Sequence, residues 1–427
     1  MQSNLTKAIK EFDVCVVGGG LSGVMSAIAA AREGMKTLLI ERNGCLGGAA
    51  TVGLVNPFMN FCLNNPQGSY TRTDMINAGL FQTMMDKLYE LGGIKTNPSW
   101  HFNEQILKIA LDEMIKKERV KVLFHTMLCG VSVTDDKVES IDVATVSGLL
   151  AIKARVFIDA SGDAALSALA GVPFEFGDAE NGLCQPMTTS FNLVNVDWSK
   201  VDNAKMNKLY AEFRAKGEIM NPRETILKFT LPTKNMMHFN STRVQGRNPV
   251  DADDLSESEM QGREQVYELY RFLKNNVEGF ENSEIVAISD DIGIRESRRI
   301  KGKYTICEED IFKLRKFTDS IARCSYDVDM HAQKGQKDTI WKMPYGEYYT
   351  IPYRACIPVC FKNLLVAGRC IGSTRIAQAS FRIMPVVSCI GEAVGIAAAI
   401  ACEDNVNVDK INVEKLHVLM DKYNCKY

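Results

Sequence analysis

Residues 14–42 read VCVVGGGLSGVMSAIAAAREGMKTLLIER, an apolar strand, a glycine turn, a small-residue helix and a second strand in direct succession. Few folds accept that order. Gly18, Gly20 and Gly23 form G-x-G-x-x-G immediately after the strand Val14 to Val17. In such a turn the first glycine allows the tight bend, the second lets the backbone approach a pyrophosphate, and the third lets helix and sheet pack closely. Ala27, Ala29 and Ala30 keep the helix slim, Gly34 suits its C-cap, and Lys36 to Ile40 makes the next strand. Glu41 ends that strand about twenty residues past the glycines, where a carboxylate can accept hydrogen bonds from ribose hydroxyls. A bound nucleotide is expected, and the unit by itself serves NAD and FAD alike.

The next segments build a frame around this unit. "RNGCLGGAATVGLVNPF" brings Gly44, Gly47 and Gly48 into a second backbone-rich loop. "FNEQILKIALDEMIKKERV" sets Ile106, Ile109, Ala110 and Met114 at helical spacing ahead of the strand "VKVLFH". "CGVSVT", "VESIDVATV" and "LLAIKARVFIDA" then read as a β-meander that returns the chain to the sheet at Val156 to Ile158. "DASGD" follows at the strand's carboxyl end, the edge where open α/β sheets place ligands, and its Ser and Asp also suit a helix start. From about 185 to 345 strand-like runs mix with helices such as "SESEMQGREQVYELYRFLKNN", and no second G-x-G-x-x-G appears. "NLLVAGR" is a further apolar strand, followed by a small-residue helix from about Pro385 to Cys402.

With "VVGGGLSG" these segments, "PSWHFNEQILKIALDEM", "ARVFIDASGDAALSALAG", "GIRESRRIKGKYTI" and "NLLVAGRCIGSTRIAQASFRIMP" above all, resemble the FAD-dependent oxidoreductases of the glutathione-reductase-like two-dinucleotide-binding fold. Within them the chain is most similar to the family known generically as FAD-dependent oxidoreductase. The resemblance implies an α/β, Rossmann-like FAD-binding domain with a β-meander crossover, interrupted by an inserted α+β substrate or cap domain. The expected division is 11–184 and 346–402 for the FAD domain, 185–345 for the insertion, and 403–427 for a C-terminal tail. Cofactor contacts are implied at Gly18, Gly20, Leu21, Ser22, Gly23, Glu41, Arg42, Gly47, Gly48, Ala160, Gly162, Gly368, Arg369 and Arg382. Many relatives carry an acidic residue where this chain has Arg369. The last helix is expected to aim its positive end at the flavin pyrimidine, where reduction adds negative charge.

Several catalytic residues are candidates. Strand alternation in "MMHFNSTRV" puts His238, Asn240 and Thr242 on one face, which reads either as a wall of the substrate site, with His238 as acid or base, or as a solvated sheet face. "GIRESRRI" crowds Arg295, Arg298 and Arg299 around Glu296, an arrangement that suits either an anion anchor or internal ion pairs. The family resemblance favours the anchor for Arg295 and Arg298. Arg354 and Arg382, flanking the return strand, are expected near the isoalloxazine, Arg354 as a third candidate anion anchor, and Arg382 can equally tie its loop to the sheet.

Composition narrows the rest. The chain's 427 residues can hold two cores, and 50 basic against 52 acidic residues offer no nucleic-acid surface. Thirteen cysteines without a Cys-x-x-Cys, and five histidines without a His-x-x-x-His, argue against iron–sulfur or other metal centres. Cys45 sits where disulfide flavoenzymes keep a close pair, but the next cysteine is Cys62. The N-terminus lacks a signal-peptide h-region, and "VVSCIGEAVGIAAAIA" is broken by Glu392 and reads as too short for a bilayer. The expectation is a cytoplasmic FAD enzyme that moves a hydride between flavin and a small, anionic organic substrate, with an unidentified electron partner, no membrane and no nucleic acid; a homo-oligomer is compatible with the sequence. The alternatives are an electron-transfer subunit resembling the flavoprotein of heterodisulfide reductase, and a non-catalytic FAD-bound regulator.

Overall fold

The computed structural model describes residues 8–66, 68, 70–331, 333 and 339–427. Its main sheet grows from the opening motif. Strand β1 (Ala8–Val17) leads through the glycine turn into helix α1 (Leu21–Arg32) and strand β2 (Thr37–Ile40). Helices α2 (Leu80–Glu90) and α3 (Glu104–Lys117) precede strand β3 (Lys121–Leu123). The meander follows as β4 (Met127–Thr134), β5 (Lys137–Thr145) and β6 (Gly148–Asp159). The strand order is β3-β2-β1-β6-β5-β4, with the return strand Leu364–Val366 joined to β6. Pairing is parallel from β3 through β6 and to the return strand, and antiparallel within the meander.

β6 does two jobs along its length. Its first half pairs with β5, and its last residues pair with the return strand, Phe157 opposite Leu364 and Asp159 opposite Val366. The carboxyl ends of β1, β6 and the return strand therefore lie side by side, which is where a doubly wound sheet opens its ligand crevice. In α3 the buried stripe is Leu107, Ala110, Leu111 and Met114, spaced i, i+3, i+4 and i+7, with Ile115 beside it. Ile109, expected on that face, is exposed instead.

The helix Met384–Glu403 fixes the whole arrangement by lying directly against α1. A Cβ on Gly391 would stand 2.1 Å from the Ser22 carbonyl, and one on Gly395 would stand 2.2 Å from the Ser26 carbonyl. The two backbones approach so closely that only hydrogen fits between them. Ser26 Oγ seals the contact by donating across to the Gly391 carbonyl at 2.8 Å. At 20 residues this helix is long and apolar enough to span a membrane, contrary to the sequence expectation, but here it is core: its apolar window is entirely buried.

Glu392 is buried within this helix and caps another one, accepting the Leu80 N–H at the start of α2 at 2.7 Å. Burial pushes its carboxyl up to about 7.

The insertion has a core of its own, built from buried residues between Phe191 and Phe280 on the sheet formed by Phe191–Val194, Lys228–Thr230, Met237–Phe239 and Glu284–Ile288. Packing departs from the expected division at both later boundaries. From Ile300 onward, Ile306, Ile321, Cys324 and Met343 belong to the main core, and so do Leu416 and Met420 of the expected tail. Residues 300–330 fold with the main domain because their strand Ser320–Cys324 pairs with Tyr349–Pro352 beneath the long helix.

Two outcomes follow from these contacts. Gly395→Val should lower stability by about 3 kcal/mol, because neither backbone can retreat; thermal melting checks it, and an unchanged Tm would mean that the helices separate easily. A carboxyl whose pKa rises on folding binds its proton more tightly in the native state, so stability should fall as pH rises from about 4.5 toward 7, by up to about 3 kcal/mol. Urea titrations across that window should show the fall in the natural protein and a flatter profile in Glu392→Gln.

Candidate functional site

The carboxyl edge of the main sheet opens into a cleft of about 410 Å³. Gly18 has φ +103° and a Cβ there would meet the Ala160 carbonyl at 2.6 Å, so the first turn and the end of β6 are locked together. Gly20 is the reverse case, with open space where a Cβ would project. α1 begins here without any side-chain cap, leaving its first N–H groups directed at the cleft. Ser22, only 6% exposed, keeps a buried hydroxyl oxygen with no hydrogen-bond partner at the same place.

Glu41 lines the cleft and holds its walls together. One carboxylate oxygen accepts the Gly19 N–H at 2.6 Å and the other accepts the Asn43 N–H at 2.8 Å. The second glycine loop runs beside the first: Gly47 N–H donates to the Gly19 carbonyl at 2.8 Å, and Gly48 approaches the Gly20 backbone. Opposite, Ala160 and Gly162 close β6, while Gly368 follows the return strand. Asp159, fully buried, serves this corner by accepting from Ser161 and Ser167 backbone and hydroxyl groups, which is the helix-start role read in "DASGD".

Three arginines face the cleft, each held by a neighbour. Arg42 pairs with Asp291 at 2.6 Å, Arg369 pairs with Asp163 at 2.6 Å, and Arg382 Nη2 donates to the Asp329 carbonyl at 3.2 Å. Asp291 belongs to a segment, 291–294, that leaves the insertion and forms the far wall; it is pinned there by Asp290 N–H donating to the Val52 carbonyl at 2.8 Å. Met384 and Val387, in the first turn of the long helix, line the same end, and that helix too starts without a side-chain cap.

A family model described as FAD dependent oxidoreductase matches residues 13–420. The chain belongs to that family. Among curated relatives, the mitochondrial dihydrolipoyl dehydrogenase of Schizosaccharomyces pombe is 50% identical over 38 residues, 9% of this chain and 7% of that protein. The digeranylgeranylglycerophospholipid reductase of Methanococcus vannielii is 26% identical over 215 residues, 50% of this chain and 53% of that protein. This chain thus spans about half the length of the second and a small part of the first. Among solved structures, a geranylgeranyl bacteriochlorophyll reductase-like protein from Thermoplasma acidophilum has a TM-score of 0.48 at 14% identity, covering 97% of this chain and 84% of that one.

FAD is the cofactor of this family, and the residues present fit it. The uncapped start of α1, the open space at Gly20 and the unpartnered Ser22 hydroxyl would hold a pyrophosphate. Of the contacts implied by sequence, Gly18, Gly20, Leu21, Ser22, Glu41, Arg42, Gly47, Gly48, Ala160, Gly162, Gly368, Arg369 and Arg382 all line the cleft. Gly23 does not; a Cβ there would strike the Gly18 carbonyl at 1.9 Å, so its service is to helix packing. Cys45 is a free thiol whose pKa is raised, chiefly by burial, which keeps it protonated rather than reactive.

The candidate catalytic residues separate. Arg295 follows Ile294 of the cleft wall but is not itself a lining residue; its guanidinium donates to the Pro186 carbonyl, Thr188 Oγ1 and Asn240 Oδ1. Arg298 instead donates to the Asp163 carbonyl at 3.2 Å and stacks over Phe174, a brace behind the cofactor edge rather than a lining residue. The expectation for Arg354 is corrected: it is outside the cleft lining, exposed, paired with Asp319 at 2.9 Å and stacked on Tyr304. The expectation for His238 is corrected as well. The strand Met237–Phe239 turns it into the insertion's interior at 1% exposure, where Nδ1 meets Asn192 Oδ1 at 2.9 Å. Asn192 donates its own amide to Glu104 Oε1 at 2.8 Å, so Nδ1 of His238 carries the proton. Burial depresses the imidazole to about 3, which leaves it neutral and unfit as a general acid.

Sequence reading missed His331. It lies 3.6 Å from Asp329, within the field of Arg295 and Arg382, and nothing in its local sequence marks it.

His238→Gln should leave turnover per bound FAD unchanged. Because the unfolded imidazole binds a proton that the folded one refuses, natural stability should fall as pH drops from about 6.5 toward 3, and the variant should lose less over that range. Steady-state assays and denaturant melts check both; a collapse of turnover would restore His238 to the chemistry.

Proposed function

We propose that this flavoenzyme transfers a hydride between its FAD and a small organic substrate lodged at the inner end of the cleft, with a separate electron partner closing the cycle. The observation that carries this reading is the composition of that end. Ile292, Gly293 and Ile294 of the insertion line the same cleft as Arg382, Met384 and Val387 of the main domain, so cofactor-holding elements and a cap segment share one chamber. FAD, when bound, supplies the hydride-accepting or hydride-donating centre.

The chain's own residues set the conditions for that step. The uncapped first turn of the helix Met384–Glu403 presents positive potential to charge that develops beside it. The apolar side chains of Ile292, Ile294, Met384 and Val387 limit water, which strengthens each electrostatic contact in the chamber. The Arg42–Asp291 pair and the Asp290–Val52 bond hold the cap segment against the main domain.

Purified protein should carry a yellow flavin band that one class of small molecule bleaches under anaerobic conditions, and that returns with an added oxidant. A panel of hydroxy acids, unsaturated acids, alcohols and sugars reads it. A flavin band that no reductant-class substrate bleaches and no oxidant-class substrate restores after dithionite would favour the regulatory alternative.

A further inference from the structure

At the carboxyl edge of the main sheet, β2, β1, β6 and the return strand end side by side. Glu41 follows β2, the glycine turn follows β1, Asp163 comes shortly after β6, and Gly368 and Arg369 follow the return strand. Glu41, Gly18, Gly20, Asp163, Gly368 and Arg369 all line the cleft. Across β1 the ends of β2 and β6 are about 10 Å apart, so an acid stands on either side of the uncapped start of α1.

The helix that follows β6 makes no use of Asp163. It runs over Ala165–Ala170, its N-cap Ala164 gives no side-chain hydrogen bond, and its early N–H groups go to Ser161 Oγ at 2.9 Å and Asp159 Oδ2 at 2.8 Å. The Asp163 carboxylate is instead held from one side. Its Oδ1 accepts Arg369 Nη2 at 2.6 Å and Ser297 Oγ at 2.7 Å, while Oδ2 has no partner among the described residues. The side chain is 24% exposed. A Cβ on Gly162 would stand 2.8 Å from Arg369 Nη1, so the glycine leaves the guanidinium its room.

A carboxylate beside a pyrophosphate is repelled by it, and a guanidinium in direct contact offsets that repulsion. An ionised carboxylate can only accept hydrogen bonds, so its ligand must donate them. FAD carries hydroxyl donors on both sides of its pyrophosphate, ribose on one and the ribityl chain on the other. Glu41 stands on the first side, and Asp163 stands on the second, toward Arg382 and Met384. We propose that Asp163 Oδ2 accepts a hydrogen bond from a ribityl hydroxyl of FAD, and that Arg369 is a positioning residue that holds this carboxylate and cancels its charge beside the pyrophosphate. The role concerns how the cofactor is held, so it stands or falls apart from hydride transfer.

The test strips FAD from the full-length protein and measures rebinding by flavin fluorescence. The ligands are FAD, analogues lacking the 2′-, 3′- or 4′-hydroxyl of the ribityl chain, and one lacking the 2′-hydroxyl of the ribose. Natural protein should bind one of the ribityl analogues at least tenfold more weakly than FAD. Asp163→Ala should bind FAD at least tenfold more weakly and show no further loss with that same analogue, which isolates the contact. Arg369→Gln should weaken FAD severalfold in the natural background and far less beside Asp163→Asn, where no charge is left to cancel. Equal losses from Asp163→Ala with FAD and every analogue, or a loss that vanishes only with the ribose analogue, would overturn the contact. Equal losses from Arg369→Gln in both backgrounds would overturn its positioning role. Should Asp163→Ala fail to fold, the analogue series on natural protein still decides, because four analogues that all bind as tightly as FAD would leave Asp163 without a ligand.

Discussion

The contact between α1 and the helix Met384–Glu403 governs the site. Two helices whose backbones touch at Ser22–Gly391 and Ser26–Gly395 cannot slide or roll past each other without collision. The amino end of each helix therefore occupies a fixed point on the cleft, Leu21 and Ser22 for one, Met384 and Val387 for the other. Both ends lack a side-chain cap, so the fold directs two sets of unsatisfied N–H groups into one crevice. Anionic portions of a long dinucleotide and charge developing on its reactive ring would find complementary potential at these helix ends.

Buried acids hold this geometry from the inside. Glu41 ties the two glycine loops, Asp159 ties the end of β6 to the helix that follows, and Glu392 ties the long helix to α2. Each accepts backbone N–H groups, which lets a carboxyl stay buried without a cation partner. Glu392 does so with a raised pKa, and the others through two or more donors.

Charge at the chamber follows a different logic. Arg42 and Arg369 meet carboxylates directly, whereas Arg382 donates to the Asp329 carbonyl. The insertion contributes Asp291, which pairs with Arg42 from the segment that lines the cleft.

The strand, turn, helix and second strand, the meander, the return strand and a nucleotide site were legible in residues 14–42, 127–159 and 363–402, while the choice of FAD came from the family resemblance. Those features depend on neighbours in sequence: a glycine at positive φ, alternation along a strand, small residues on one helix face. Partner choice between distant segments is not local. His238 looked exposed on a polar strand face until Asn192 and Glu104, from elsewhere in the chain, enclosed it. Arg354 looked close to the flavin until Asp319 and Tyr304 held it outside. Arg295 and Arg382, one from the insertion and one from the main domain, both act on His331, and only the packing of those segments brings that about. The sequence by itself determined a nucleotide cradle, because its physics is short-range; the tertiary structure decided which charges face the chamber, because burial and long-range pairing set that.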